Sequence, residues 1–497
     1  MQWGFYGRRD ELKQLSGILN RDRWFFCKIT GRRRIGKTTL IQEALKASER
    51  DKILYVQIPD SGPAGVLSAV VDGLEMFGIP SDDYDPPQSL QELAGLISQL
   101  ASDGYVVALD EFQYFNRKLI KDFCSFLQIE VDGLAARSGE IPGGLVVLGS
   151  LHTEMAAILE DRDTPLYNRV TDSIDLAHLD IESVLEILRA HATESPDRLL
   201  LLWTLFEGVP KFYRDCFEQD VLAKDRRDLL RVMFFDSSSP LRTEADNWFL
   251  REFKGRYDVV LKYIASHSGC QHAEIVSHAK SLSRDEKEQV AGYLKILQER
   301  FRVIARKLPV FAKPRTPKGR YYIADNFLRA WLAALASPVS ALNFRPVDEL
   351  VELADERLKG IEGHAFEELV ATIYEERSRK GLPGFSLSER IEGFWDSKDT
   401  EIDLVAMDEP NRVVRFGFCK RSEGSILPAV TGDAQHVSRF LKAFKKRYDG
   451  WTHELFQQAP VIGPGTRAAL KKLGWEAEDL NDLTIGLGAD PGEGALF

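Results

Sequence analysis

Short runs of almost wholly apolar residues, separated by stretches of helical periodicity, dominate the first 170 positions. Trp24–Ile29, Ile53–Val56, Tyr105–Leu109 and Leu145–Leu148 have the length and continuity of strands buried on both faces, while Thr38–Ala47 and Leu90–Ala101 repeat apolar residues at helical spacing. Strands alternating with helices predict a doubly wound parallel sheet. From Ile181 to about Phe234 the periodicity is helical throughout and predicts a bundle capping that sheet. Tyr257–Ala265, a segment opening at Ala273, and Glu288–Arg300 with Val290, Tyr293, Leu294 and Leu297 on one face then predict three helices. Phe301–Arg306 and Arg320–Ile323 predict a hairpin after them, so this region reads as a winged helix-turn-helix. Pro338 and the residues after it read as a linker into a last α/β unit from about Leu350, and the Gly-rich tail after Gly486 as a fraying end. The expected α/β multidomain chain divides at 1–175, 176–250, 251–337, 338–486 and 487–497.

Composition changes little in this picture, but charge does. Apolar residues at 44% and charged residues at 28% describe ordinary globular material. Five scattered cysteines with no CxxC pair argue against a disulfide framework or a zinc site. No apolar run approaches the length of a membrane helix and no leader pattern opens the chain, so a cytoplasmic location is expected. The net charge of −11 hides an asymmetry: residues 251–330 hold 17 Lys and Arg against 8 Asp and Glu, a local +9, which leaves −20 elsewhere. Eight of those cations lie between Arg300 and Arg320 with no acid among them. A localised basic segment on an acidic chain is either the footprint of a polyanion or a solvated loop.

The chemistry is clearest at Gly31-Arg32-Arg33-Arg34-Ile35-Gly36-Lys37-Thr38, which fits GxxxxGK[ST] after a predicted strand and before a predicted helix. Glycines let successive N–H groups turn toward a phosphate, and the helix N-terminus adds its dipole. Lys37 is expected to reach the β- and γ-phosphates of ATP, and the Thr38 hydroxyl to ligate Mg²⁺, with Thr39 beside it. The other half of such a site is an acid ending a neighbouring strand. Asp110 is expected to hold Mg²⁺ through water, and Glu111 to orient and deprotonate the attacking water.

Phe5-Tyr6-Gly7-Arg8-Arg9-Asp10-Glu11-Leu12, GRRRIGKTTL and LDEFQYF together resemble the AAA+-like ATPases of the archaeal and bacterial STAND/MNS group. The resemblance implies an adenine pocket involving Phe5 and Arg8, and a γ-phosphate sensor at Ser150, which ends the strand Leu145–Gly149. Pro165-Leu166-Tyr167-Asn168-Arg169 is similar to the family's P-L-Y-G-R element, with Asn168 in place of glycine; it implies Arg169 as an arginine finger, acting in cis or on a neighbouring copy. Gly208–Tyr213 looks like the start of a helix in the family's capping bundle.

The same family often carries a C-terminal DUF234 domain that resembles PD-(D/E)xK nucleases, and Gly360–Arg421 matches it. Such a site needs acids on a helix and two strands, the last acid two residues before a lysine. Glu367, Asp403 and Lys420 fill three of these roles. The family's G-E-C-K has become Gly417-Phe418-Cys419-Lys420, so one metal-binding acid is missing, and Glu401, on the same strand face as Asp403, is the available substitute. The sequence therefore reads as an ATP- and Mg²⁺-dependent switch that contacts DNA through Arg306, Lys307, Lys313, Arg315, Lys318 and Arg320, with a degenerate nuclease-like domain. An ATP-regulated nuclease effector is the alternative reading, and position 418 separates the two.

Overall fold

The computed structural model describes residues 2–48, 50–150, 152–245, 257–282 and 289–488. They form two compact units: residues 7–178 with 209–211, and residues 2–6, 179–208 and 212 onward. The end of the expected tail and part of the expected junction near residue 250 lie outside the described residues.

In the first unit, β1 (Phe25–Gly31), β2 (Ile53–Gln57), β3 (Val106–Asp110), β4 (Gly144–Gly149) and β5 (Asp172–Leu176) make one sheet in the order β2-β3-β4-β1-β5. Every pairing is parallel. β3 and β4 are buried at every residue, as expected of parallel strands covered on both faces. Four of the strands match the apolar runs of the sequence. β5 does not, because it is an edge strand whose exposed positions are polar: Asp172 pairs with Arg21 at 2.8 Å, and Asp175 accepts a hydrogen bond from Thr30. The order β3-β4-β1 carries the functional consequence. It brings the carboxyl ends of three adjacent strands, and with them Asp110, Ser150 and Gly31, to one edge of the sheet, where ligands of open α/β sheets bind.

The second unit contains the helical bundle and everything after it. The bundle helices include Ile181–His191, Pro196–Phe206 and Arg226–Leu230. Next come helices Asp258–Ser266, His272–Leu282 and Val290–Lys295, with β6 (Cys270–Gln271), β7 (Ile304–Lys307) and β8 (Arg320–Ile323) in an antiparallel sheet of order β6-β8-β7. Where a linker is expected to open at Pro338, the chain is still helical, and a short non-helical connection follows at residues 341–346. Ala336–Ser340 is helical and Pro338 is buried. A 33-residue helix, Val347–Arg379, then leads to β9 (Glu392–Trp395), β10 (Glu401–Asp408), β11 (Val413–Cys419), β12 (Thr452–Ala459) and β13 (Glu476–Asp479). These form a separate mixed sheet of order β13-β12-β11-β10-β9, covered by the helix Ile426–Ala443. All five cysteines are free thiols. Among the described residues no helix is long and apolar enough to cross a membrane.

Candidate nucleotide site and the C-terminal acid cluster

The loop between β1 and the helix Lys37–Ala47 is held in a shape that most residues cannot adopt. Gly36 caps the helix at φ +94°, and a Cβ on Gly31, at φ +149°, would sit 2.7 Å from the Leu176 carbonyl oxygen. Arg34 takes a left-handed φ of +67° between them. Ile35 is buried and pins the loop to the core, Arg33 is exposed, and the Arg32 guanidinium lies 3.4 Å from His178 Nε2. Thr39 is an exposed residue of the first helical turn. Arg8 is also buried and braces the loop from outside, donating to the carbonyls of Ile35 and Ala177 and pairing with Glu11. Phe5, expected beside it, belongs to the other unit and is half-buried there.

Lys37 lies inside this loop, its ammonium donating to the carbonyls of Gly31 and Arg32 at 3.0 Å each. Burial pushes it down to about 8, against the pull of Glu111 and Asp110 and with Arg33 adding to the fall. A phosphate placed beside it would raise that value, so binding ATP there above pH 8 would also take up a proton. The affinity for ATP is therefore expected to be flat below pH 8 and to fall by up to about tenfold per unit above it. Calorimetric titrations across pH 7 to 10 check this.

Asp110 closes the site. One of its oxygens accepts from Thr38 Oγ1 at 2.6 Å and from Tyr55 at 2.8 Å, the other from the Glu111 backbone N–H at 2.7 Å. A hydroxyl and a carboxylate at this separation are hard oxygen donors suited to a hydrated Mg²⁺. Glu111, at φ +56°, turns its carboxylate toward β4, where Ser150 Oγ donates to it at 3.1 Å and Gln113 Nε2 also donates. Gln113 accepts from the Ser150 backbone N–H at 3.2 Å and is almost completely buried, so it ties the end of β3 to the end of β4. A Cβ on Gly149 would lie 2.7 Å from the Gln113 oxygen, which explains a glycine there. Neither Gln113 nor Tyr55 stands out in the sequence; the signal for Gln113 was a polar residue within the aromatic run Phe112–Phe115.

Arg169 is not drawn into this cluster. It makes a two-pronged pair with Asp132, at 2.7 and 2.9 Å, and a bond to the Tyr167 carbonyl. Asn168, in place of the family glycine, has φ +59°, a conformation asparagine tolerates better than other side chains.

In the second unit, Glu367 and Asp403 come together with Lys420. Asp403 is partly buried and accepts from the Cys419 N–H at 2.8 Å; desolvation and then the Glu367 charge push its carboxyl above the usual carboxylate range, against the pull of Lys420. Lys420 lies 3.5 Å from Asp433. Glu401, the possible substitute, pairs with Arg320 instead. Phe418 is buried in the apolar core, its ring 5.8 Å from that of Trp475. Of the positions expected to supply acids, Glu401 is engaged with Arg320 and position 418 holds a phenylalanine.

Three of the six hairpin cations are also engaged. Arg306 donates to carbonyls of its own loop, Lys307 pairs with Glu368 at 2.7 Å, and Arg320 stacks over Trp395 as it pairs with Glu401. The loop between β7 and β8 is anchored by Val310, whose N–H donates to Gly393, and by Trp395 Nε1 bonded to the Lys318 carbonyl. Lys313 and Arg315 remain exposed, and Lys318 is partly so. Elsewhere, Asp180, Glu182 and Glu376 converge closely enough for a metal, but the Lys380 ammonium bonds to all three.

Residues 25–149 match the model of an AAA domain, and residues 331–430 match DUF234, described as archaea bacterial proteins of unknown function. An uncharacterized protein of Methanocaldococcus jannaschii is 24% identical over 426 residues, 83% of this chain and 86% of the relative. Among solved structures, a Walker-type ATPase of Pyrococcus abyssi has a similar fold, with a TM-score of 0.50 at 17% identity, covering 66% of this chain and 96% of that one. The Aeropyrum pernix ORC2 protein, solved with ADPNP and ADP, gives a TM-score of 0.45 at 16% identity over 72% of this chain and 97% of that one. Residues 25–149 thus form an AAA-type P-loop ATPase core, which this chain joins to a C-terminal DUF234 region.

Proposed function

We propose that the chain is an ATP-hydrolysing switch whose second unit contacts DNA and does not cut it. The observation that carries the reading is the joint placement of Lys37, Thr38, Asp110 and Glu111 at one sheet edge, with Gln113 and Ser150 fixing the Glu111 carboxylate. In this reading the loop N–H groups and Lys37 hold the β- and γ-phosphates, while Thr38 and Asp110 hold Mg²⁺, which draws charge from the phosphate oxygens. Glu111 takes the proton of the attacking water, and Ser150 senses the γ-phosphate. Arg169 serves as a finger only after leaving Asp132, which suits a role toward a second copy.

The DNA reading rests on the order of helices and hairpin in residues 258–323, which fits a winged helix-turn-helix, and on the local positive charge. The test is ATP turnover with and without single- and double-stranded DNA, following particle size and DNA integrity together. Turnover and size that ignore both DNAs would count against a DNA-coupled switch.

The nuclease alternative draws on the meeting of Glu367, Asp403 and Lys420. Without the acid at position 418 a cation there has too few anionic ligands to give up its waters. Plasmid and single-stranded DNA should survive incubation with the protein, ATP and Mg²⁺ or Mn²⁺ on a gel, and Asp403→Ala should leave ATP turnover unaltered. Metal-dependent cleavage lost in both Asp403→Ala and Glu401→Ala would favour the effector reading instead.

A further inference from the structure

The hairpin that the sequence offers as a DNA-contacting wing already has three of its six cations engaged. Arg306, Lys307 and Arg320 are bonded to carbonyls or acids, which leaves Lys313 and Arg315 exposed at the loop tip and Lys318 partly exposed beside them. That tip is fastened to the C-terminal sheet domain through Phe311, whose ring lies 5.2 Å from Phe444 and under the Arg447 guanidinium at 4.1 Å. The chain beside it is basic in its own right. Between Ala434 and Tyr448 there are five cations, Arg439, Lys442, Lys445, Lys446 and Arg447, and no acid. All five are exposed. Arg447 is engaged with Glu409, but Lys442, Lys445 and Lys446 ion-pair with no described acid. Lys442 and Lys445 rim an open depression of about 490 Å³ floored by Val437, Leu441 and Leu455.

We infer that this composite basic surface, the loop tip with Lys313 and Arg315 joined to Lys442, Lys445 and Lys446, is where the protein meets the phosphate backbone of duplex DNA. The inference rests on the proposal that the chain contacts DNA, and moves the centre of that contact from the hairpin strands to the end of the helix Ile426–Ala443. Unpaired lysines on an otherwise acidic chain are what phosphates recognise, and each contact releases counterions. The neighbouring aromatic rings, Phe311, Phe444 and Tyr448, pack on one another, so the surface lacks the exposed stacking platforms of single-strand binders.

The test is fluorescence anisotropy of a labelled 30-base-pair duplex at several salt concentrations, with full-length wild type and Lys442→Gln/Lys445→Gln/Lys446→Gln. The expected result is that the triple variant loses affinity and its salt slope becomes shallower by about 2 to 3 units. Its DNA-free ATP turnover should match wild type, and its far-UV circular dichroism and denaturant midpoint should match as well, which shows that the substituted domain is folded. Wild-type binding to the duplex with an unchanged slope in the variant overturns this inference and leaves the DNA proposal standing. Absence of wild-type binding to the duplex overturns both. Binding of phosphatidylserine vesicles in place of the duplex, lost in the variant, overturns the nucleic-acid assignment and makes the surface a membrane contact.

Discussion

Glu111→Gln is expected to lower ATP turnover by about 10²- to 10⁴-fold while leaving ATP affinity close to wild type, the range typical of losing a positioned general base. The structure explains why the two effects should separate. The Glu111 carboxylate is hydrogen-bonded to neither Lys37 nor Thr38; it is fixed by Ser150 and Gln113, just beyond the ends of β4 and β3. A glutamine keeps the shape and can still bond to Ser150, but it cannot take a proton from water. Steady-state phosphate release, read beside equilibrium binding, checks this. Equal turnover in the variant and wild type would remove Glu111 from the catalytic step.

The second large effect concerns stability. Arg226, in the bundle, pairs with Asp355 and Glu362 of the long helix Val347–Arg379, and both carboxylates are almost completely buried. Burial would raise the Asp355 carboxyl, but hydrogen bonds from Lys359 and then Arg226 hold it below its ordinary value. Arg421 also reaches Glu362, at 2.6 Å, so the network survives in part without Arg226. Removing one partner of a buried ion pair leaves charge stranded, and Arg226→Met should cost the second unit about 3 kcal/mol. Denaturant unfolding should show a lower midpoint for the variant. An unaltered midpoint would mean that Arg421 and Lys359 alone satisfy the two acids.

The sequence and the structure agree most closely where one local rule decides the outcome. Buried parallel strands announce themselves as unbroken apolar runs, and four of the five strands in the first sheet were legible that way. The turn from β1 into the next helix was legible too, since Gly31 and Gly36 take the positive φ values that their motif spacing implies. β5 was not, because an edge strand with Asp172, Ser173 and Asp175 looks like a polar turn. Gln113 and Tyr55 were hidden for another reason: each acts through a partner on a neighbouring strand or turn, and no spacing within their own segment encodes that. The hairpin cations teach the same lesson about charge. Arg306, Lys307 and Arg320 count toward a local +9, yet their partners, Glu368 and Glu401 among them, lie 61 and 81 positions away. Net charge in a window cannot show which cations are already paired across the fold.

The central claim is that ATP sits in the loop Gly31–Thr38 with Lys37 on its phosphates. It is tested most directly by isothermal titration of Mg-ATP into wild type and Lys37→Ala at pH 7.5, with the fold of each protein confirmed by circular dichroism. Truncating a charged partner of a phosphate costs about 2 to 5 kcal/mol, so the variant should bind at least about 30-fold more weakly. A folded Lys37→Ala protein that binds Mg-ATP as tightly as wild type would contradict the account.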